Sequence, residues 1–265
     1  APDYESLSKE EIVALYADYE AYRAQARMTA EGEYPEGASS GSISNDYLDV
    51  SVGSDGRFSI GNIEGNPNYS SDNGRKLLYG YPDTGTSSTL LYIDGDEMVF
   101  TADSISYRNN VALATMLLDS YGIAVTQKLS FVSSGTEIGG SAIDDCVKIE
   151  YKVTNTGTES HRVGIRIMID TMLASNDDAP FKVKGTGNVT TIKNYDASTG
   201  IPDSYQVYDS LTNPTTIATG YLVSNGEIPP DRVQFTNWRE ISNNYWSYVG
   251  YEGGYLGDSA VGIIA

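Results

Sequence analysis

The feature that most constrains this chain is a period of two. From Cys146 to Val153 the residues alternate, with Val147, Ile149, Tyr151 and Val153 on one side and Lys148, Glu150 and Lys152 on the other. After Asn155–Ser160 the alternation resumes. Val163, Ile165, Ile167 and Ile169 share one face, and Arg166, Met168 and Asp170 share the other with Arg162. Successive strand side chains point to opposite faces of a sheet, so this pattern demands β-structure with one buried face. The spacing predicts a hairpin turning at Asn155–Ser160, with its apolar rows meeting across a core. Arg166 on the other face can pair with Glu150 or bind a ligand carboxylate or hydroxyl.

The same grammar runs through most of the chain. LDVSV, GRFSIG and KLLYGY are separated by Gly, Asn and Pro. TSSTLLYI and EMVFTA flank Asp94-Gly95-Asp96, a strong hairpin signal. VALATMLL and IAVTQKLSFV flank Asp119–Gly122. FKVK, NVTTIKN, SYQVYDSL, TTIATGYLV, RVQFTNW, YWSYVGY and SAVGII follow as further strand candidates. Strands at this density with no interleaved helices point away from βαβ units. The expectation is an all-β fold, a large antiparallel β-sandwich, spanning residues 47–265.

Only the N-terminal segment departs from it. Residues 1–28 read as helical. Ser8 and Glu11 form a capping box, Leu7 and Ile12 a hydrophobic staple, and Ile12, Leu15, Tyr16, Tyr19 and Tyr22 a stripe. The stripe would pack on the β-domain, on a neighbouring domain of the same polypeptide, or on a partner. Residues 29–46, rich in Gly, Ser and Glu, read as a linker.

Charge excludes some functions. The net charge of −19 repels phosphate backbones and anionic lipids, so nucleic acid is not an expected partner. No run of about 18 apolar residues exists to span a membrane. One cysteine, Cys146, permits no intrachain disulfide. A nucleophilic Cys146 needs a base, and the one histidine, His161, falls across a predicted turn. There is no Gly-x-Ser-x-Gly, zinc-binding His pair or phosphate loop. The opening Ala-Pro-Asp and the acidity suggest a secreted or cell-surface protein whose signal peptide has been removed.

Two regions can carry chemistry. Asp170 ends a strand and Asn176, Asp177 and Asp178 follow in the loop before Pro180 and Phe181. Such oxygen-rich loops can hold Ca²⁺, and they also serve as turns in which Asp and Asn bond their own backbone. The second region holds Phe235, Trp238, Tyr245, Trp246, Tyr248, Tyr251 and Tyr255, including both tryptophans. Aromatic rings stack on the apolar faces of sugars, so Trp238, Trp246 and Tyr248, with Asn237 and Arg239 as polar partners, form a candidate glycan platform. The alternative is a strand whose aromatics fill a core.

KIEYKVTNTG, HRVGIRIMIDT and NDDAPF, with GRFSIGNIEGNP, KLLYGYP, PPDRVQFTNW and GDSAVGI, resemble a family of uncharacterised secreted proteins of Firmicute-type bacteria. The likeness covers most of 47–265 and implies no activity. The Tyr151-x-Val153-x-Asn155-x-Gly157 turn between long strands is also similar to supersandwich domains of the galactose-mutarotase type. That likeness implies carbohydrate-active enzymes or their accessory domains, although a mutarotase site would need a catalytic histidine that a turn-bound His161 does not supply.

Three functions are therefore in play: a non-catalytic surface module that binds polysaccharide, a glycoside hydrolase, lyase or other carbohydrate-active enzyme using paired carboxylates, and a structural or adhesive domain. A hydrolase would draw two carboxylates from Asp170, Asp177, Asp178, Asp209, Asp231 and Asp258, which lie near strand ends or in turns.

Overall fold

The computed structural model describes residues 38–64, 73–222, 229–244 and 246–265. The helix expected at 8–28 and the ring of Tyr245 lie outside them. The described residues are almost entirely β, and every strand pair is antiparallel.

Strands β1 (Gly41–Ser44), β2 (Leu48–Val52) and β3 (Phe58–Asn62) form a three-stranded sheet. β1 falls in the stretch expected to be a linker, so paired structure begins before residue 47. Strands β4 (Ser88–Ile93) and β5 (Asp96–Val99) form the hairpin expected at Asp94-Gly95. Both turn residues take positive φ, 54° and 109°, as a tight two-residue connection requires. Strands β6 (Ser104–Arg108), β7 (Val111–Leu118), β8 (Ile123–Val132) and β11 (Cys146–Asn155) build a four-stranded sheet in the order β11-β8-β7-β6. β9 (Glu137–Ile138) and β10 (Ser141–Ala142) form a short ribbon.

The remaining strands are β12 (Val163–Asp170), β13 (Phe181–Val183), β14 (Gly187–Val189), β15 (Lys193–Asp196), β16 (Ser204–Tyr208), β17 (Ile217–Tyr221), β18 (Arg232–Asn237) and β19 (Ser259–Ile264). A six-stranded sheet has the order β15-β18-β19-β12-β4-β5, and another four-stranded sheet the order β14-β13-β16-β17. One described helix, α1 (Trp238–Ser242), lies against the six-stranded sheet.

Two expectations are corrected. Four sheets of three or more strands surround a shared core, a four-bladed, propeller-like arrangement rather than a two-layered β-sandwich. The largest core cluster draws Val50 and Phe58, Leu129, Val233 and Phe235, and Phe181 and Tyr205 from the four sheets in turn. Strand density measures how much sheet a chain forms and says nothing about how many sheets share it. Second, β11 and β12 are not a hairpin. β11 pairs with β8, and β12 lies between β4 and β19. Their apolar rows do meet: Val147 and Ile149 join Ile167 and Ile169 in the main core, and Tyr151 and Val153 join Val163 and Ile165 in a second one. The connection at 156–162 therefore carries the chain from one sheet to another facing it. KLLYGY and YWSYVGY also form no strands: the first makes only isolated bridges through Lys76 and Leu78, and the described part of the second is turn and coil.

β12 positions both candidate sites. Its odd residues enter the cores, and its even residues face the chain's last third. Trp246 lies over Gly164, Arg166 reaches α1, and Met168 packs on Ile241 and Ala260. Arg166 does not pair with Glu150, which bridges Lys128 and Lys148 instead. Its buried guanidinium donates through Nη2 to the carbonyls of Ile241 (3.2 Å) and Asn244 (2.9 Å). It thereby adds a side-chain donor at the helix end, where the Ile241 carbonyl also accepts from Asn244 N–H.

Candidate functional sites

The acidic end of β12 is assembled by the pairing of β12 with β19. Asp170 stands opposite Ala260, and Thr171 N–H donates to Ser259 O at 3.0 Å. Asp258 precedes β19 directly, so this register delivers it to Asp170. The loop after β12 returns Asp177 to the same place, because Ser259 N–H donates to Asp177 O at 2.9 Å. One carboxylate oxygen from each of Asp170, Asp177 and Asp258 lies within 4.8 Å of the other two.

Asp170 is held on every side. Its N–H donates to Ser87 Oγ (3.0 Å), its carbonyl accepts from Tyr79 N–H (3.1 Å), and its Oδ2 accepts from the Thr86 hydroxyl. It is 2% exposed, and its Oδ1 is buried with no hydrogen-bond partner among the described residues. Burial pushes its carboxyl up to about 7; the Thr86 bond opposes this, and the neighbouring Asp258 and Asp177 add to it. Burial also raises Asp177, helped by Asp258 and Asp178 and opposed by Lys76. Asp258 is raised by burial and by Asp178, against the pull of Arg239. Asp258 takes φ 53°, a left-handed conformation unusual for a residue with a side chain. Asp178 Oδ1 accepts its N–H at 2.6 Å and Trp238 N–H donates to its carbonyl at 2.6 Å, and these two bonds hold it there.

Of the four residues expected to hold a cation, two converge and two are scaffold. Asp170 and Asp177 meet. Asn176 Oδ1 accepts from Asp178 N–H (3.0 Å) and its Nδ2 donates to Asp209 O (2.9 Å), so it shapes the turn. Asp178 secures Asp258. The third converging carboxylate, Asp258, stood only among the hydrolase candidates, since its partner strand lies far away in sequence. Asp209 closes a separate turn with Thr215 and Thr216, and Asp231 lies at the other end of β12.

That other end is an open cleft of about 450 Å³, lined by Tyr92, Arg162, Gly164, Asp196, Asp231, Arg232 and Trp246 among others. Trp246 is half-buried and stacks on Tyr92, with centroids 5.3 Å apart and planes inclined at 28°. Its ring edge presses on Gly164, where a Cβ would come within 2.5 Å of the indole. Glu97 Oε2 accepts the Trp246 backbone N–H (2.9 Å), and Arg232 Nη2 donates to the Trp246 carbonyl (3.2 Å). Burial draws the Arg232 guanidinium below its ordinary range, against the attraction of Asp196.

The other residues expected to form the platform are placed differently. Trp238 and Tyr248 pack on Met168, Ile241 and Ala260. The Trp238 indole N–H is buried and makes no hydrogen bond. The Tyr248 hydroxyl bonds Thr236 Oγ1 (2.9 Å) and Glu240 Oε2 (2.8 Å), and burial pushes it up to about 12. Asn237 caps α1 by accepting from Glu240 N–H and donates to Gly257 O. Arg239 is exposed and acts on Asp258. So Trp246 alone of this set lines the cleft. Its neighbours Tyr92, Arg162 and Arg232 come from distant strands, and no local spacing groups them. Tyr251 and Tyr255, 81% and 77% exposed, stand on the loop between the two ends.

The cysteine and histidine form no catalytic pair. His161 Nδ1 lies 2.6 Å from Asp94 Oδ2, and Cys146 is a half-buried thiol that burial and Asp145 push up. No protein-family model matches the chain, and no curated protein matches it in sequence.

Proposed function

We propose that this chain is a non-catalytic glycan-binding module that works outside the cell, with the Trp246 cleft as its sugar site. The observation that carries this reading is an indole pinned by its backbone at both sides and edging an open cleft. Such a ring offers a rigid apolar surface to the face of a pyranose. Arg162 and Arg232 supply donors, and Asp196 and Asp231 supply acceptors, for sugar hydroxyls. A volume of about 450 Å³ accommodates a short oligosaccharide segment. The net charge of −19 suits a solvent-exposed surface protein and disfavours nucleic acid as a ligand. No helix among the described residues is long and apolar enough to cross a membrane.

A hydrolase reading draws support from the three carboxylates with raised pKa at the acidic end. Asp170, the one raised furthest, is 2% exposed, and an acid so enclosed cannot reach a glycosidic oxygen. Binding without chemistry fits both ends better.

The test is a glycan array followed by calorimetric titration of the best ligand. Trp246→Ala is expected to weaken binding about 5- to 150-fold, if stacking on the indole is worth roughly the 1–3 kcal/mol found for a base on an aromatic ring. An array on which the native chain retains no glycan would end the proposal, and so would a Trp246→Ala variant of native affinity.

A further inference from the structure

We propose that Asp170, Asp177 and Asp258 form a calcium site that ties the end of β12 to the start of β19, at the opposite end of the strand from the sugar cleft. Two observations converge on it. The first is geometry. Oxygens on opposite sides of a Ca²⁺ ion, each about 2.3–2.6 Å from it, stand about 4.6–5.2 Å apart. Three carboxylate oxygens within 4.8 Å of one another fit on one such sphere.

The second is an unmet need. Asp170 is 98% buried, its Oδ2 is taken by Thr86, and its Oδ1 meets no donor. Asp177 Oδ1 is also buried without a donor. Buried carboxylate oxygens left bare are costly, and a cation supplies what the protein's own donors do not. The basic groups acting on the cluster, Lys76 on Asp177 and Arg239 on Asp258, do not bond those two oxygens. The donor set is all oxygen, which suits a hard cation; water would complete the shell, as it commonly does for Ca²⁺. The remaining cluster architecture fixes the donors in place. Asp178 holds Asp258 by its backbone, and Asn176 sets the turn that presents Asp177.

The ion would add a direct tie between carboxylates of three segments: the strand end, the 171–180 loop, and the turn that ends the loop bearing Tyr251 and Tyr255. Melting of the chelator-treated full chain is measured in EDTA and in millimolar CaCl₂ or MgCl₂. Calcium is expected to raise Tm by about 5–10 °C, as saturating ligand does for a domain of this size. Terbium, a calcium substitute, is expected to luminesce on excitation of Trp238, whose backbone N–H donates to the Asp258 carbonyl. Asp170→Asn and the half-exposed Asp258→Asn should each abolish the calcium shift, while Trp238→Phe should keep the shift and lose most of the terbium signal. Equal Tm in EDTA and calcium, without terbium luminescence, overturns the site; it would mean that protons alone relieve the cluster. An equal shift with magnesium overturns the choice of calcium. Glycan titration repeated in EDTA separates the two proposals, because the Trp246 cleft does not include this cluster.

Discussion

The two ends of β12 differ in how open they are. At Gly164 the strand has no side chain, and the space is filled by an indole that leaves an open cleft with arginines and aspartates at its edge. At Asp170 the strand ends in a carboxylate enclosed by Thr86, Ser87 and two further acids. The first end can receive a molecule with a flat apolar face and hydroxyls. The second gathers three carboxylate oxygens within 4.8 Å of one another. Between them Arg166 and Met168 pack under α1, so the same C-terminal segment that lays Trp246 on one end lays Asp258 on the other. The difference teaches that burial, more than residue type, separates an open ring-lined cleft from an enclosed carboxylate cluster. Aspartates line both.

The largest effect is expected where burial acts on charge. Asp170 titrates near 7 in the folded chain, against about 3.9 for a free aspartate. Between those values the folded state holds more protons than the unfolded chain, so stability falls as pH rises, and the loss is complete above about 7. At about 1.4 kcal/mol per pH unit the ceiling is roughly 4 kcal/mol. Asp170→Asn removes the charge and can still accept the Thr86 hydroxyl. In EDTA the variant should match the native chain near pH 4 and melt higher at pH 8, with most of the gap opening between pH 5 and 7. Thermal melts across that range check it. A native chain whose Tm tracks the variant's at every pH would show that the acidic end is not closed, and the contrast between the ends would collapse.

How far the sequence reveals these ends differs for the same reason. Alternation at 146–155 and 163–170 identifies both strands and their buried faces, because a strand's period is a local property. Asp94-Gly95 identifies its hairpin, because a two-residue turn is local too. The partner of β12 is not local. With β12 placed beside β11, as a hairpin at 155–160 requires, Asp258 has no reason to approach Asp170. With β12 beside β19, it arrives in register. Asp170 and Asp177 were legible as loop carboxylates, yet their third member was not. The Trp246 cleft repeats the lesson: aromatic density marks Trp246, but Tyr92 and Arg232 join it only through sheet order. Trp238 and Tyr248 share that density and went into packing, since whether a strand-end ring faces solvent depends on what α1 covers.

A middle-sized effect is expected from closing the other end. Gly164→Ala places a methyl group within 2.5–2.6 Å of Trp246 Cη2 and Cζ2. The indole cannot simply slide, because Glu97 and Arg232 hold its backbone. Overpacking of this kind costs about 1–3 kcal/mol. Calorimetry should show a lower Tm, titration should show lost or severely weakened glycan binding, and the calcium shift should persist in full. Native glycan affinity in this variant would remove the ring from the recognition surface.

The smallest effect is expected on the loop that joins the two ends. Lys193 Nζ lies 3.3 Å from Glu252 Oε2, and the two side chains are 40% and 50% exposed. An exposed pair of this kind is worth about 0–1 kcal/mol and weakens with salt. The loop does not depend on it. Ile192 N–H donates to Gly254 O, Gly253 N–H donates to Ile192 O, both at 2.9 Å, and Glu252 Oε1 accepts from Asn194 N–H at 2.6 Å. Lys193→Ala should therefore change stability by less than about 0.5 kcal/mol and leave both the glycan titration and the calcium shift at native values. A variant that disturbed either readout would mean that the loop carrying Tyr251 and Tyr255 transmits between the ends. They would then be two halves of one site, joined by an exposed lysine, rather than two sites set by burial at opposite ends of a strand.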